Sequence, residues 1–325
     1  MSDGDARAET ALNGEKVSGG SGQAHGKVIL LGEHAVVYGY PAIGFPLLPV
    51  TVRVQIMPIE GEDMLDSSYY YGKLTEIPTA LAGVKVLIEE TRHALQSTLG
   101  ALSITIASTI PSGYGMGSSA AVAVAIVRGL YDFYQHHLTH EQLLVLVHIA
   151  ETYAHGTPSG VDAWTTSSDR PVWFMRGREP VRLSLCRPLY LVVACSRSPG
   201  NTREAVQQVR DNVAHRTHAH PMARLGRLAE GARWALTRGD YENLGLLMTA
   251  AHEQLERFGI TTDHMDTLVS VALHEGALGA KLTGSGGGGS IIALVADRSE
   301  QRRLAGTLTL AGAVQVWTPV LKEDT

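Results

Sequence analysis

Between Pro111 and Ala121 the chain reads Pro-Ser-Gly-Tyr-Gly-Met-Gly-Ser-Ser-Ala-Ala. Gly113, Gly115 and Gly117 free the backbone for conformations that a side chain forbids, so successive peptide N–H groups can converge on one anion. Ser118 and Ser119 then open a small, apolar run through Ala120 and Ala121 to Val127. The unpaired amides and positive dipole end of such a helix face the same anion. The pattern points to phosphate; its plain alternative is a glycine-rich turn ahead of a buried helix.

Phosphoryl transfer also asks for a cation, a metal-binding carboxylate and a group that takes the acceptor's proton. Lys27, beside Gly26 at the head of the run Lys-Val-Ile-Leu-Leu, is either that cation or a solvated edge lysine. Glu33 and His34 follow the run directly and Tyr38 lies within a turn of them. Polar groups therefore gather where an apolar strand delivers the chain to a glycine turn, the setting of a functional loop or of an ordinary surface turn. Glu151 sits near the end of an apolar helical stretch, where a carboxylate needs a cation, a metal or strong hydrogen bonds, unless it is simply an exposed helix-end acid. Asp162 closes the segment His-Gly-Thr-Pro-Ser-Gly-Val-Asp from His155, whose Pro158 and Gly160 fix the backbone ahead of the carboxylate; it also suits a helix N-cap. The cluster Gly284 to Gly289 follows Lys281-Leu282-Thr283 and precedes a β-branched run, so it suits close approach of backbone to a ligand or another segment. His148, His215, His218, His220 and His252 show no metal-ligand spacing.

The elements that must hold these groups follow from periodicity. Val50 to Met57 and Leu102 to Ile106 alternate as strands with one covered face, and Pro188 to Cys195 and Ser290 to Val295 read as strands. Helices are expected over Ile77 to Thr98, Ala120 to His136, Glu141 to Ala154, Thr202 to Val213, within Met222 to Phe258, and near Met265 to Glu275. Mixed order with antiparallel alternation favours an α+β architecture over a doubly wound parallel sheet. Residues 1–22, rich in Gly, Ser and charge, read as a mobile leader; a domain over 23–187 and a second over 188–325 follow, with the boundary near Arg187.

The 325 residues include 27 basic and 32 acidic side chains, a formal charge of −5, without a long basic run, so nucleic acid is not an expected partner. Two cysteines, Cys186 and Cys195, suit a reducing cytoplasm better than a disulfide framework. Neither a signal peptide nor an apolar run of about 18 residues is visible, so a soluble cytoplasmic protein without a membrane partner is expected.

Three segments together resemble the GHMP small-molecule kinases, and within them the mevalonate kinases. Gly26-Lys-Val-Ile-Leu-Leu-Gly-Glu-His-Ala-Val-Val-Tyr-Gly-Tyr-Pro-Ala-Ile is similar to that family's opening motif, Pro111 to Ala121 to its phosphate loop, and Lys281 to Gly289 to its C-terminal glycine motif. The resemblance implies a two-domain α+β fold with the active site in the cleft between domains, ATP as co-substrate, Mg2+, and phosphorylation of the 5-hydroxyl of mevalonate. It further implies that Pro111, Ser112, Gly113, Tyr114, Gly115, Met116, Gly117, Ser118, Ser119, Ala120 and Ala121, with Lys27, bind ATP, and that Ser119 and Glu151 hold Mg2+. Asp162 would take the acceptor's proton, Lys27 would offset charge on the transferred group, and Glu33, His34, Tyr38, Thr202, Thr283, Gly284 and Ser285, with Asp162, would border the acceptor. His25, Met116, Trp164 and Ser290 depart from the family's frequent residues, and Trp164 could reshape the pocket. The competing readings are a related kinase for phosphomevalonate, homoserine or a sugar, and a non-catalytic nucleotide sensor; a homodimer is left open.

Overall fold

The computed structural model describes residues 10–12, 15–17, 19–97, 100–155, 158–214 and 220–322. In chain order the first half comprises strands β1 (Thr10–Leu12), β2 (Glu15–Val17), β3 (Gly20–Leu31), β4 (Ala42–Ile59), β5 (Met64–Ser67) and β6 (Tyr70–Lys73), helix α1 (Ala82–Ala94), strand β7 (Ala101–Ser108), and helices α2 (Ser118–Phe133) and α3 (His140–His155). Helix α4 (Val161–Thr166), strands β8 (Val172–Phe174), β9 (Val181–Arg182) and β10 (Leu189–Cys195), and helices α5 (Thr202–Ala214), α6 (His220–Arg238), α7 (Tyr241–Glu256) and α8 (Asp263–His274) come next. The chain ends with β11 (Gly279–Thr283), β12 (Ser290–Val295), α9 (Arg298–Leu310), β13 (Val316–Trp317) and β14 (Val320–Leu321). The architecture is α+β, as the mixed order of elements led us to expect.

Two compact units interleave along the chain. The first takes 1–25, 50–110 and 119–158, the second 26–49, 111–118 and 159–325. This differs from the expected division at Arg187, because β3 and β4 are long strands that each pass from one unit into the other. The expected leader also carries structure: β1 and β2 pair antiparallel, and β3 already begins at Gly20.

In the first unit the second half of β4 pairs antiparallel with β7, from Val52 opposite Ser108 to Ile59 opposite Ala101. Its buried Val52, Val54 and Ile56 alternate with exposed Arg53 and Gln55, the period-two pattern of a sheet with one covered face. The hairpin of β5 and β6 extends this sheet by pairing β5 parallel to β7. Helix α1 packs on α3; it starts at Ala82 instead of Ile77 because Pro78 and a 3-10 turn at Thr79–Leu81 precede it.

In the second unit the start of β4 pairs with β8, Ala42 opposite Phe174, and β8 with β9. A separate antiparallel sheet has the order β11-β12-β10-β13, with β14 also on β10. Its β11 and β12 are buried at every position, which is why they lack alternation. Helices α7 and α8 pack on β11. The helical stretch after Met222 is interrupted at Gly239, whose φ of +69° ends α6, and restarts where the Asp240 carboxylate accepts from Asn243 N–H to cap α7. Among the described residues no helix is long and apolar enough to cross a membrane.

Candidate active site

The second unit brings together most of the residues singled out in the sequence. Lys27 lies inside β3, not at its head, and its buried Nζ meets Asp162 Oδ1 at 2.9 Å. The lysine side chain is 4% exposed and the aspartate 34%, so a dry ammonium holds a carboxylate that still reaches solvent. The solvated edge lysine is thereby replaced by one member of a charge-assisted pair. Asp162 occupies the first turn of α4, whose N-cap is Gly160 at φ +89°; the aspartate is therefore not the cap itself, and its charge lies at the favourable end of the helix. An apolar cluster of Ile29, Val36, Ala42, Val161, Val172 and Phe174 fixes this helix against β3. Trp164, expected as a possible disturbance of the pocket, packs partly buried on that cluster.

The glycine-rich loop adopts the backbone its composition requires. Gly113, Gly115 and Gly117 have φ of +82°, +73° and +72°, the left-handed region that favours glycine. Three of its carbonyls are tied to the protein: Gly113 O accepts from Gly200 N–H at 2.7 Å, Met116 O from Lys27 N–H at 2.9 Å, and Tyr114 O from Ser290 Oγ at 3.0 Å. Pro111 is half-buried, Ser112 and Gly113 are exposed, and the loop runs directly into α2, whose Ala120 and Ala121 are buried. A Cβ on Gly117 would stand 2.8 Å from Lys27 Cγ, so the missing side chain is what lets Lys27 lie beside the loop. A Cβ on Gly115 would stand 3.2 Å from Thr283 O and 3.3 Å from Gly284 Cα, which explains glycines in both loops where they meet.

Behind Lys27 lies a second buried ion pair. Lys281 Nζ, fully buried on β11, donates to Glu33 Oε1 and, at 2.6 Å, to Leu282 O. Burial raises the Glu33 carboxyl above its usual range, against the pull of Lys281 and then of Lys27, and burial lowers the Lys281 ammonium against the pull of Glu33. His34 holds a φ of +58°, uncommon for a side-chain-bearing residue, and donates from Nε2 to Ser285 O at 2.9 Å. The carbonyl partner requires Nε2–H, and burial lowers this imidazole to about 4, so the ring is neutral at pH 7. Ser285 Oγ in turn donates to Thr202 Oγ1 at 3.1 Å, joining the glycine motif to the start of α5.

One expected residue stands differently. The Thr283 hydroxyl accepts from Ile29 N–H at 2.8 Å and donates its only hydrogen to Ile29 O at 3.1 Å, so it clamps β3 to the end of β11 and has no proton left for an acceptor molecule. Tyr38 is exposed at the end of the 3-10 turn Ala35–Tyr38. Lys281, His252 and Ser290 were not among the candidates; a lysine within an all-buried strand was the available signal. Gly156 and Thr157, within the turn before Asp162, lie outside the described residues, as do His215 and His218.

Ser119 and Glu151 belong to the first unit. Ser119 is exposed in the first turn of α2, and Glu151 on α3 is 4% exposed. Both offer hard oxygen donors. Among the described residues there is no group of three or more His, Cys, Asp or Glu able to hold a metal, so a full protein cage is lacking. One carboxylate and one hydroxyl fit Mg2+, which keeps waters and takes its remaining ligands from nucleotide phosphates.

The sequence matches the family described as GHMP kinases N terminal domain over residues 80–168 and GHMP kinases C terminal over residues 232–313. It is 34% identical to a mevalonate kinase of Pyrococcus horikoshii, with 92% of this chain and 95% of the relative covered. Identity to a mevalonate kinase of Thermococcus gammatolerans is 32%, covering 92% and 96%. The crystal structure of L. major mevalonate kinase in complex with R-mevalonate superposes with a TM-score of 0.78 at 27% identity, covering 98% of both chains. The two domain matches and the relatives at 32–34% identity place the chain, with its Lys27–Asp162 pair beside a left-handed glycine loop, in the GHMP kinases, where it is most like the mevalonate kinases.

Proposed function

We propose that the chain transfers the γ-phosphoryl group of ATP to the 5-hydroxyl of mevalonate, with Asp162 as proton acceptor and Lys27 as charge stabiliser. The observation that carries the reading is the 2.9 Å contact of Lys27 with Asp162 next to the left-handed glycines 113, 115 and 117. The acceptor's hydroxyl oxygen attacks the γ-phosphorus, the bond to the β,γ-bridging oxygen breaks, ADP leaves, and the hydroxyl proton passes to Asp162. Protonation of Asp162 weakens its pull on Lys27, leaving that ammonium to offset charge on the transferred group. The loop from Pro111 to Ser119 and the first turn of α2 hold the phosphates through backbone N–H groups. Ser119 and Glu151 are the residues that would hold Mg2+, which when bound offsets charge on the phosphates. Glu33, His34 and Tyr38 border the acceptor, with Ser285 and Thr202 behind His34.

An acceptor panel tests the substrate. Purified protein with ATP and Mg2+ is expected to release ADP on addition of mevalonate, and equal or faster turnover with phosphomevalonate, homoserine or galactose rejects the assignment. Asp162→Asn tests the mechanism: kcat is expected to fall on the order of 10²-fold or more while the Kd for ATP stays within about twofold. Unchanged kcat removes Asp162 from the role.

A further inference from the structure

Lys281 is the one charged side chain on a strand buried at every position. Its place is set by backbone register, opposite Ile292 on β12, and by α7, where His252 Nδ1 accepts from Leu282 N–H at 3.3 Å. That acceptor role leaves the proton on His252 Nε2, which faces Asp266 Oδ1 of α8 at 3.5 Å. The lysine therefore has little freedom, and its ammonium is committed to Glu33 Oε1 and Leu282 O. Glu33 Oε2 is buried and has no hydrogen-bond partner among the described residues. A buried carboxylate with one oxygen held by a fixed cation and the other unmatched is aimed, since the held oxygen fixes the plane of the group.

We propose that Lys281 is a positioning residue: it holds the Glu33 carboxylate turned so that Oε2 is offered to a hydroxyl donor of the acceptor, without itself touching substrate. This rests on the reading that Glu33 borders the acceptor. The charged or titratable groups around the pair are Lys27 with its partner Asp162, the neutral His34, and His252 backed by Asp266. Burial is the largest cause of the low His34 and His252 values, ahead of repulsion from Lys281, so both imidazoles are held neutral beside the pair mainly by the dry surroundings. Without Lys281, the Glu33 backbone N–H and the more distant Lys27 are left to oppose the desolvation of Glu33, and the carboxyl rises further.

The test is a cycle in the full chain: wild type, Lys281→Met, Glu33→Gln and the double variant, with kcat and KM for each substrate across pH. Lys281→Met is expected to raise the acceptor KM by about tenfold, to leave the ATP KM within about twofold, and to move the acid limb of kcat/KM to higher pH. In the Glu33→Gln background the same replacement is expected to change the acceptor KM by less than about twofold, because coupled residues do not add. Multiplying losses, an equal rise in the ATP KM, or an unmoved acid limb overturns the proposal. If Lys281→Met does not fold, the double variant lacks both buried charges and is compared with Glu33→Gln alone. Matching acceptor KM then supports the role of Lys281, and further loss refutes it. The wild-type acceptor panel decides the substrate separately, and the cycle is run on whichever alcohol that panel identifies.

Discussion

Replacing Gly117 with alanine separates the two things this glycine supplies. At φ +72° an alanine sits in the left-handed region, a strain of roughly 1–2 kcal/mol. The added Cβ would also stand 2.8 Å from Lys27 Cγ, 2.9 Å from Lys27 Cε and 3.2 Å from Thr166 Cγ2. Ordinary carbon contacts lie at about 3.5–4.0 Å, so the lysine stem must withdraw by roughly 1 Å, and a buried stem has little room to do so without moving its ammonium. A 2.9 Å contact to Asp162 stretched by that much is no longer a hydrogen bond. Misplacement on this scale costs on the order of 10²-fold in rate. Gly177→Ala is the control: its φ is +77°, but nothing lies within 4 Å of the added carbon. Calorimetry is expected to show both variants losing about 1–2 °C per kcal/mol of strain, with kcat falling only in Gly117→Ala. If kcat stays within about threefold of wild type while Tm falls as in the control, the glycine does not position Lys27 for catalysis. If the loss shows instead as weaker ATP binding at unchanged kcat, the replacement has disturbed the loop and not the pair.

His34 and His252 are each lowered by burial from 6.5 to about 4. Their contribution to stability is therefore complete above pH 6.5 and is lost as the pH falls toward 4, where the unfolded chain takes up protons that the folded chain refuses. Between pH 7 and 5 each is expected to remove about 2 kcal/mol, and His252→Gln is expected to flatten the fall in unfolding free energy by that amount. Comparing slopes cancels the opposite drift from Glu33 and Asp266, whose carboxyls burial raises; equal slopes in the two proteins refute a buried neutral His252. Ser290→Ala frees Tyr114 O from its hydroxyl donor, and is expected to raise the ATP KM a few-fold at nearly constant kcat and to lower stability by about 1 kcal/mol. An unaltered ATP KM shows that this bond does not shape the loop.

What could be read along the chain was what depends on local backbone chemistry. Alternate glycines announce positive φ wherever they fall, and Gly113, Gly115 and Gly117 adopt it. The alternation around Val52, Val54 and Ile56 likewise depends only on neighbouring residues and one covered face. Short elements such as β8, β9 and the six-residue α4 carry too few residues for a period to register, although α4 delivers Asp162. The unit boundaries could not be seen because β3 and β4 continue through them with no break in composition.

The least legible part is the arrangement of charge. Lysine is solvated by default, so the sequence left Lys27 open between a catalytic cation and an edge residue and assigned Lys281 no role, and the partner of Lys281 is 248 positions away. Each ion pair supplies what the other does not. Lys27 is paired with a carboxylate that retains contact with solvent, so under the proposed mechanism protonating Asp162 would leave a cation able to interact with phosphate. Lys281 is paired with a carboxylate as buried as itself, where losing either charge strands the other in a dry interior. One pair is therefore suited to change its charge in each catalytic cycle and the other to keep its charge unchanged. Thr283, clamping Ile29 from two residues beyond Lys281, holds the strand that carries Lys27 to the strand that carries Lys281. A shift of β11 against β3 would disturb both pairs at once, which is the physical reason for a buried, doubly bonded threonine at that position.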